Sequence, residues 1–234
     1  MSALASTWSK ELKDYFVSPI AYMVIAIFLL VTGWFFFSTF FIQDQASLRA
    51  FFNLLPITFS LVVPALTMRL FAEEFNVGSF EVLITMPLGP VRIIISKFLA
   101  AATMVAAMLL PTLAYPICVA MLGDLDPGPV IGGYLGALLL GSAFAAIGLF
   151  TSSLTRSQII AYILGALICF GLSLVDQMLF FVPPAIMDVI QKLGAGHHFQ
   201  SIAKGVIDSR DLIYFGSLIF LGLYLTTLAI QARE

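Results

Sequence analysis

An all-α integral membrane protein is the fold class that this sequence predicts, on two observations. The chain of 234 residues is 61% hydrophobic and only 10% charged, whereas soluble domains are about half apolar and about a quarter charged. The apolar residues also gather into six runs, each near the roughly 20 residues that a helix needs to cross a bilayer. These runs are residues 20–42, 52–71, 97–122, 130–153, 158–182 and 212–231. The whole chain, 1–234, is therefore predicted to form one transmembrane domain.

Residues 1–18 precede the first run and have the pattern of a helix that lies on the membrane surface. Apolar residues recur there at intervals of three and four, which places them on one side of a helix. The apolar side is Trp8, Leu12, Tyr15 and Phe16, and the charged side is Lys10, Glu11, Lys13 and Asp14. A helix of this kind is expected to lie flat at the interface. Pro19 then turns the chain into the membrane.

Two of the six runs carry residues that indicate close helix packing. Pro111 and Pro116 lie in the third run, where proline removes a backbone donor and is expected to kink the helix. Neighbouring helices must then satisfy the freed carbonyls, so this run is expected to lie inside the bundle. Gly132 and Gly136 form a GxxxG in the fourth run, a spacing that lets helices approach closely. The abundance of glycine in membrane helices accounts for this pair more simply than a dimer motif does.

The basic residues favour an orientation with both termini in the cytoplasm. With the N-terminus inside, seven basic residues lie on the cytoplasmic side and four on the outer side, and basic residues are enriched in cytoplasmic loops. The cytoplasmic set is Lys10, Lys13, Arg69, Arg92, Lys97, Arg156 and Arg233, and the outer set is Arg49, Lys192, Lys204 and Arg210. Arg92, Lys97 and Arg156 are expected to meet lipid phosphates at the membrane surface.

The sequence offers few groups for catalysis, metal binding or nucleotide hydrolysis. The motifs HExxH, GxSxG and GxxxxGK[ST] do not occur, so a zinc peptidase, a serine hydrolase and a P-loop ATPase are not indicated. His197 and His198 are adjacent, so on a helix they diverge by about 100° and do not easily share a metal. Asp176 lies near the end of the fifth run, where its carboxylate reaches water, and is interpreted as structural. A net charge of −2 gives no basic surface for nucleic acid.

The stretch between the second and third runs concentrates charge in a chain that has little. Its charged residues are Arg69, Glu73, Glu74, Glu81, Arg92 and Lys97. Gly78 is expected to break the helix there, because glycine adopts backbone conformations that other residues avoid. Residues 79–86 are then predicted to form a short helix across the membrane face, which Pro87 ends. Arg69 and Glu73, four residues apart, are expected to form a surface ion pair.

The segment TMRLFAEEFNVGSFEVLITMPLGPVRIIISKFLAA (67–101) resembles the signature of ABC-2 type exporter permeases. In that family an R-x-F-A-E-E-like run ends the second span, and a glycine, a small residue, a glutamate, a leucine, T-x-P and a lysine follow. Here these residues are Arg69, Glu73, Glu74, Gly78, Ser79, Glu81, Leu83, Thr85, Pro87 and Lys97. Further matches are SPIAYMVIAIFLL (18–30), GLFTSSLTRSQIIA (148–161) and HFQSIAKGVIDSRDLIYF (198–215). Within the family, the chain is most similar to the gliding-motility and nitrous-oxide-reductase-associated branch of GldF-like and NosY-like permeases.

This resemblance implies an ABC-2 (type V exporter-like) permease fold with a cytoplasmic coupling loop at residues 72–92. Glu81 would lie near the middle of the family's coupling helix and pair with a basic residue of an ATPase, and Leu83 and Met86 would be apolar anchors. The coupling residues are then Glu73, Glu74, Gly78, Glu81, Leu83, Met86 and Pro87. The residues of the interfacial helix are Trp8, Lys10, Glu11, Leu12 and Tyr15. Residues 183–211 would form short re-entrant helices at the outer leaflet, or else a plain extracellular loop.

The partners that the resemblance implies are a cytoplasmic ABC ATPase subunit, which binds ATP and magnesium, and a second permease protomer, identical or different. This chain itself is expected to hold no cofactor. Membrane lipids surround it, and an auxiliary membrane protein with a large extracytoplasmic domain accompanies permeases of this branch. The expected location is the bacterial cytoplasmic (inner) membrane.

The predicted function is therefore that of the transmembrane permease subunit of an ATP-driven exporter. Two other classes of protein stay open at this point. One is a scaffold that anchors an ATPase and passes on force without transport. The other is a membrane-embedded enzyme that uses Asp176, His197 and His198.

Overall fold

A computed structural model describes residues 3–43, 47–80, 89–178, 191–206 and 208–233 of the chain, and this part contains helices and no strand. The predicted all-α class is therefore confirmed. The helices are α1 (Ala3–Val17), α2 (Pro19–Gln43), α3 (Arg49–Thr67), α4 (Arg69–Val77), α5 (Pro90–Leu109), α6 (Ala114–Leu122), α7 (Pro127–Leu154), α8 (Gln158–Met178), α9 (Ala195–Ala203) and α10 (Ser209–Gln231). A 3₁₀ turn, Pro111–Leu113, joins α5 to α6.

Six segments of the described chain are long and apolar enough to cross a membrane, as the six runs predicted. They are Pro19–Ser38, Arg49–Val77, Pro90–Leu122, Pro127–Leu154, Gln158–Val175 and Ser209–Gln231. The second and third segments are longer than their apolar runs, because charged residues at a helix end do not stop the helix. The second continues to Val77 instead of residue 71, and the third begins at Pro90 instead of residue 97.

The third segment has the interruption that its prolines predicted. Pro111 opens the 3₁₀ turn between α5 and α6, whereas Pro116 lies in the first turn of α6, where a missing N–H breaks no intrahelical bond. The Tyr134 hydroxyl of α7 donates a hydrogen bond of 2.7 Å to the Thr112 carbonyl at this turn. A neighbouring helix therefore satisfies a carbonyl at the interruption, as a break inside a bilayer requires.

Helix α7 lies at the centre of the bundle and packs on α3, α5, α8, α9 and α10. Its glycines let these neighbours come close. A Cβ at Gly132 would lie 2.3 Å from the Ile202 carbonyl oxygen of α9, and one at Gly136 would lie 3.2 Å from the Phe199 ring. The GxxxG pair therefore packs on a helix of the same chain, which explains its spacing without a second protomer.

Candidate functional site

Charged residues of α1, α4 and α5 come together at one end of the bundle, where α1 packs across α5 beside α4. At its centre is the Lys97 cluster, which consists of Lys97, Glu11 and Glu74. The Lys97 ammonium lies 3.1 Å from both carboxylate oxygens of Glu11 and 2.7 Å from Oε1 of Glu74. The Lys97 side chain is 1% exposed, that of Glu11 7% and that of Glu74 19%. One buried cation therefore ties α1, α4 and α5 together.

The Lys97 cluster corrects two sequence-based expectations. Lys97 was expected to meet lipid phosphates, but it is buried and its ammonium is paired with two carboxylates. Glu11 was expected on the charged outer face of α1, but it is buried against α5, while Phe16 of the expected apolar face is 46% exposed. The periodicity of α1 predicts that its charged residues are exposed. It cannot show that a residue of another helix, here Lys97, neutralises Glu11 and allows its burial.

A second set of contacts fixes α1 to the junction of α3 and α4. The Tyr15 hydroxyl donates a hydrogen bond of 3.0 Å to the Leu66 carbonyl, and burial raises the pKa of Tyr15, so that it stays protonated and keeps donating. The Arg69 guanidinium donates to the Ser18 hydroxyl and lies 5.9 Å from the centre of the Tyr15 ring. It also lies 3.7 Å from the Glu73 carboxylate, which confirms the predicted pair. Helix α1 is thus docked on the bundle at two separate places.

Ser152, near the end of α7, caps the start of α4 from a different helix. Its fully buried hydroxyl accepts hydrogen bonds from the backbone N–H groups of Phe71 and Ala72, at 3.0 and 3.1 Å, and donates to the Met68 carbonyl at 2.7 Å. Three backbone groups at the break between α3 and α4 are therefore satisfied by one side chain. The sequence analysis missed this role. The signal that could have found it is the position of Ser152 in 148–161, one of the quoted matches.

Gly78 ends α4 in the left-handed conformation, with φ +79°. This confirms the predicted helix break, since that region strains other residues. Helical backbone resumes at residues 79–80. Four of the predicted coupling residues lie outside the described residues, namely Glu81, Leu83, Met86 and Pro87. The chain is described again from Gly89, and α5 begins with Pro90 as its first residue.

Arg233, just after α10, connects Phe75 of α4 to the end of α7. The rings of Phe75 and Phe80 meet edge to face with centroids 4.6 Å apart, which brackets Gly78 on both sides. The Arg233 guanidinium lies 4.4 Å from the centre of the Phe75 ring and donates a hydrogen bond of 2.7 Å to the Leu154 carbonyl. The segment that contains Gly78 is therefore attached to both the longest helix and the last helix.

A groove of about 530 Å³ opens between α1 and α4 at this end. The Lys97 cluster lines this groove, and Lys10, Asp14 and Glu73 are exposed at its rim. Such a groove offers both signs of charge to side chains of a docking partner. Arg92 and Arg156 are exposed, so they are free to meet lipid phosphates, and that role stays a prediction. Trp8 and Leu12 pack against the core.

The sequence of the chain matches the model of the ABC-2 family transporter protein over residues 43–230. The chain belongs to the ABC-2 family of transporter proteins. A search of curated proteins returned no match, so the resemblance to the GldF-like and NosY-like branch stays a prediction. An ABC-2 domain is a membrane permease subunit, generally without catalysis of its own. Members of the family generally work with a cytoplasmic ABC ATPase.

As an ABC-2 permease domain the chain gives no support to the enzyme alternative. His198 is occupied on every side: Nδ1 lies 2.7 Å from Oδ1 of Asp211, Nε2 lies 3.0 Å from the Lys192 carbonyl oxygen, and the ring stacks on Tyr214 at 4.1 Å. His197 contacts Gln191 instead. In the part of the chain that the structure describes, no three His, Cys, Asp or Glu side chains gather as metal ligands would. The side chain of Asp176 lies outside the described residues.

Proposed function

We propose that this chain is the permease subunit of an ATP-driven exporter and that it receives force from a separate cytoplasmic ATPase at the α1 end of the bundle. The observation that carries the proposal is the connection of α4, at Gly78, to three other parts of the domain. Lys97 connects α4 to α1 and α5, Ser152 connects it to α7, and Phe75 connects it to α10 through Arg233. A push on the residues after Gly78 would therefore reach most of the domain at once.

In the proposed mechanism, closure of the ATPase pair presses on residues 78–87 and on the N-terminal helix α1. Gly78 separates the contacted segment from α4, so that the segment can seat on the ATPase without bending α4. The Lys97 cluster makes α1 and α4 move together, because separating them would leave carboxylates without their cation in a buried place. The helices then shift as a rigid body, and a path opens between two permease protomers. The apolar interior suits a lipidic or amphipathic cargo.

The proposed assembly has two permease domains, identical or different, each on a cytoplasmic ATPase subunit that binds ATP and magnesium. No cofactor is assigned to this chain. In this proposal both termini lie in the cytoplasm and the domain lies in a bacterial inner membrane. An auxiliary membrane protein with a large extracytoplasmic domain is proposed as a further partner, as in the gliding-motility branch that the sequence resembles.

The test is co-purification of ATPase activity with the tagged chain in mild detergent from cells that contain the ATPase. Glu81→Lys reverses one charge in the middle of the expected coupling helix, and it is expected to abolish or uncouple that activity. Asp124→Lys is the matched control, because it makes the same reversal in the exposed connection between α6 and α7 at the opposite end. It should retain wild-type activity.

The proposal fails if no ATPase accompanies a folded wild-type chain, or if both variants behave alike. Flux of a labelled amphipathic cargo in sealed vesicles then separates an exporter from a force-passing scaffold. An exporter moves the cargo in an ATP-dependent way, and this movement is lost with Glu81→Lys. A scaffold binds the ATPase but moves no cargo, whether the chain is wild type or carries Glu81→Lys.

A further inference from the structure

A pocket of about 640 Å³ lies at the end of the bundle opposite to α1, between the starts of α3 and α7 and the end of α9. Its walls are partly apolar, formed by Phe52, Leu125 and Val130 among others. Arg49, the first residue of α3, and Lys204, which follows α9, also line it. Two cations from distant parts of the chain therefore face one space.

Close backbone packing fixes the position of Lys204 in this pocket. A Cβ at Gly132 would lie 2.3 Å from the Ile202 carbonyl oxygen, so α9 touches α7 without room for a side chain. Gly205 follows with φ +86°, and a Cβ there would lie 3.2 Å from the Gly128 carbonyl carbon. Glycine alone allows this close backbone contact without strain. Gly132 and Gly205 therefore hold Lys204 beside the start of α7.

The charges of the pocket do not cancel within the described chain. Arg49 and Lys204 have no ion-pair partner among the described residues. Asp126 is the one acidic residue of the described lining, and its Oδ1 already accepts the Gly128 N–H at 3.0 Å as the cap of α7. The described lining therefore has an excess of one positive charge, with donors left over for an anion.

The position of the pocket at the ends of two apolar segments favours a lipid head group as its ligand. Arg49 and Pro127 are the first residues of two membrane-spanning segments, so the pocket lies where lipid head groups meet the hydrocarbon. Arginine and lysine make strong charge-assisted hydrogen bonds to phosphate groups, and the apolar wall suits the first carbons of an acyl chain. We propose that this pocket binds an anionic glycerophospholipid, with Arg49 and Lys204 on its phosphate. This inference requires that the chain spans a membrane and is independent of ATPase coupling.

The experiment measures lipid binding to the purified full chain by native mass spectrometry. The probes are dioleoyl phosphatidylglycerol and dioleoyl phosphatidylcholine, which share acyl chains and differ in net charge. Arg49→Gln with Lys204→Gln is expected to lower the preference for phosphatidylglycerol at least about tenfold, because the two cations attract its net negative charge and repel the choline of phosphatidylcholine. The matched control is Lys192→Gln with Arg210→Gln, which removes two exposed charges at the same end outside the pocket. It should change the preference less than about twofold.

A variant that binds more lipid provides a test that misfolding cannot imitate, because a misfolded chain would bind less. Asp126→Asn keeps the helix cap, since asparagine caps as well as aspartate, and removes the one negative charge of the described lining. Phosphatidylglycerol should then bind more tightly. The proposal is overturned if the pocket pair and the control pair lose preference equally, if neither does, or if Asp126→Asn has no effect. The proposal would also be overturned if inorganic phosphate displaced the bound lipid as effectively as added phosphatidylglycerol does. Phosphate alone would then be the ligand.

Discussion

Lys97→Met tests whether the Lys97 cluster holds the α1 end together. Methionine nearly preserves the length and apolar stem of lysine and removes only the charge. Glu11 and Glu74 would then lie close together without a cation, each with little access to water. No other basic side chain of the described residues lies within ion-pair distance of either carboxylate.

The size of the effect follows from the burial of the three side chains. Removing one partner of a buried pair costs about 3–5 kcal/mol, because the remaining charge keeps its desolvation penalty. For a chain of this size, each kcal/mol lowers Tm by about 2–4 °C. Since Glu74 is 19% exposed and partly hydrated, the low end of the range, about 3 kcal/mol, is expected, which corresponds to a loss of about 6–12 °C.

The assay is thermal unfolding of the purified chain in detergent, followed by intrinsic fluorescence and by the monodisperse fraction that remains. Arg92→Met is the matched control, because Arg92 is exposed on the same helix and has no ion pair in the described chain. Its Tm should stay within about 2 °C of wild type.

A triple variant separates charge from packing. Adding Glu11→Met and Glu74→Met to Lys97→Met removes every charge of the cluster, and replacing buried ion pairs with hydrophobic residues of similar volume is often harmless. The triple variant should recover most of the lost Tm. The reasoning is refuted if Lys97→Met unfolds at the wild-type temperature, or if the triple variant is no more stable than Lys97→Met alone.

Two further predictions concern the ends of α4. Ser152→Ala removes the hydroxyl that three backbone groups share and should lower the free energy of unfolding by about 1–3 kcal/mol. The control Ser153→Ala loses only a hydrogen bond to the Phe150 carbonyl in its own helix and should lower it much less. Equal Tm values for the two variants would contradict the capping role. Gly78→Ala meets no atom within 4 Å, so its cost of about 1–2 kcal/mol comes from the left-handed backbone alone. Gly171→Ala, also in open space but in the interior of α8, should leave Tm unchanged or raise it, because alanine favours helix over glycine. A Gly78 variant as stable as this control would show that the strain is absent.

Features that depend on neighbours along the chain could be predicted from the sequence. The six spans follow from the length and composition of apolar runs. The break at Gly78 follows from one residue's backbone freedom, and the pair of Arg69 with Glu73 follows from the pitch of a helix. The turn at Pro111 follows from its missing donor. The extent of the second and third spans was underestimated, because apolar composition marks the part of a helix in lipid and not its ends.

The charged end of the bundle required the tertiary structure. Lys97 and Glu11 are 86 residues apart in sequence, and Phe71 and Ser152 are 81 apart. Patterning assigned Glu11 and Lys97 to the surface, since an isolated charge avoids burial. When α1 packs across α5, Glu11 and Lys97 become each other's counter-charge, so both can be buried. The sequence by itself thus determined six apolar spans and a break at Gly78, because those properties are local, and its motifs carried the resemblance to ABC-2 permeases. The docking of α1, the cap on α4 and the pocket beside α9 were decided only by the fold, because each joins groups that meet when distant helices pack.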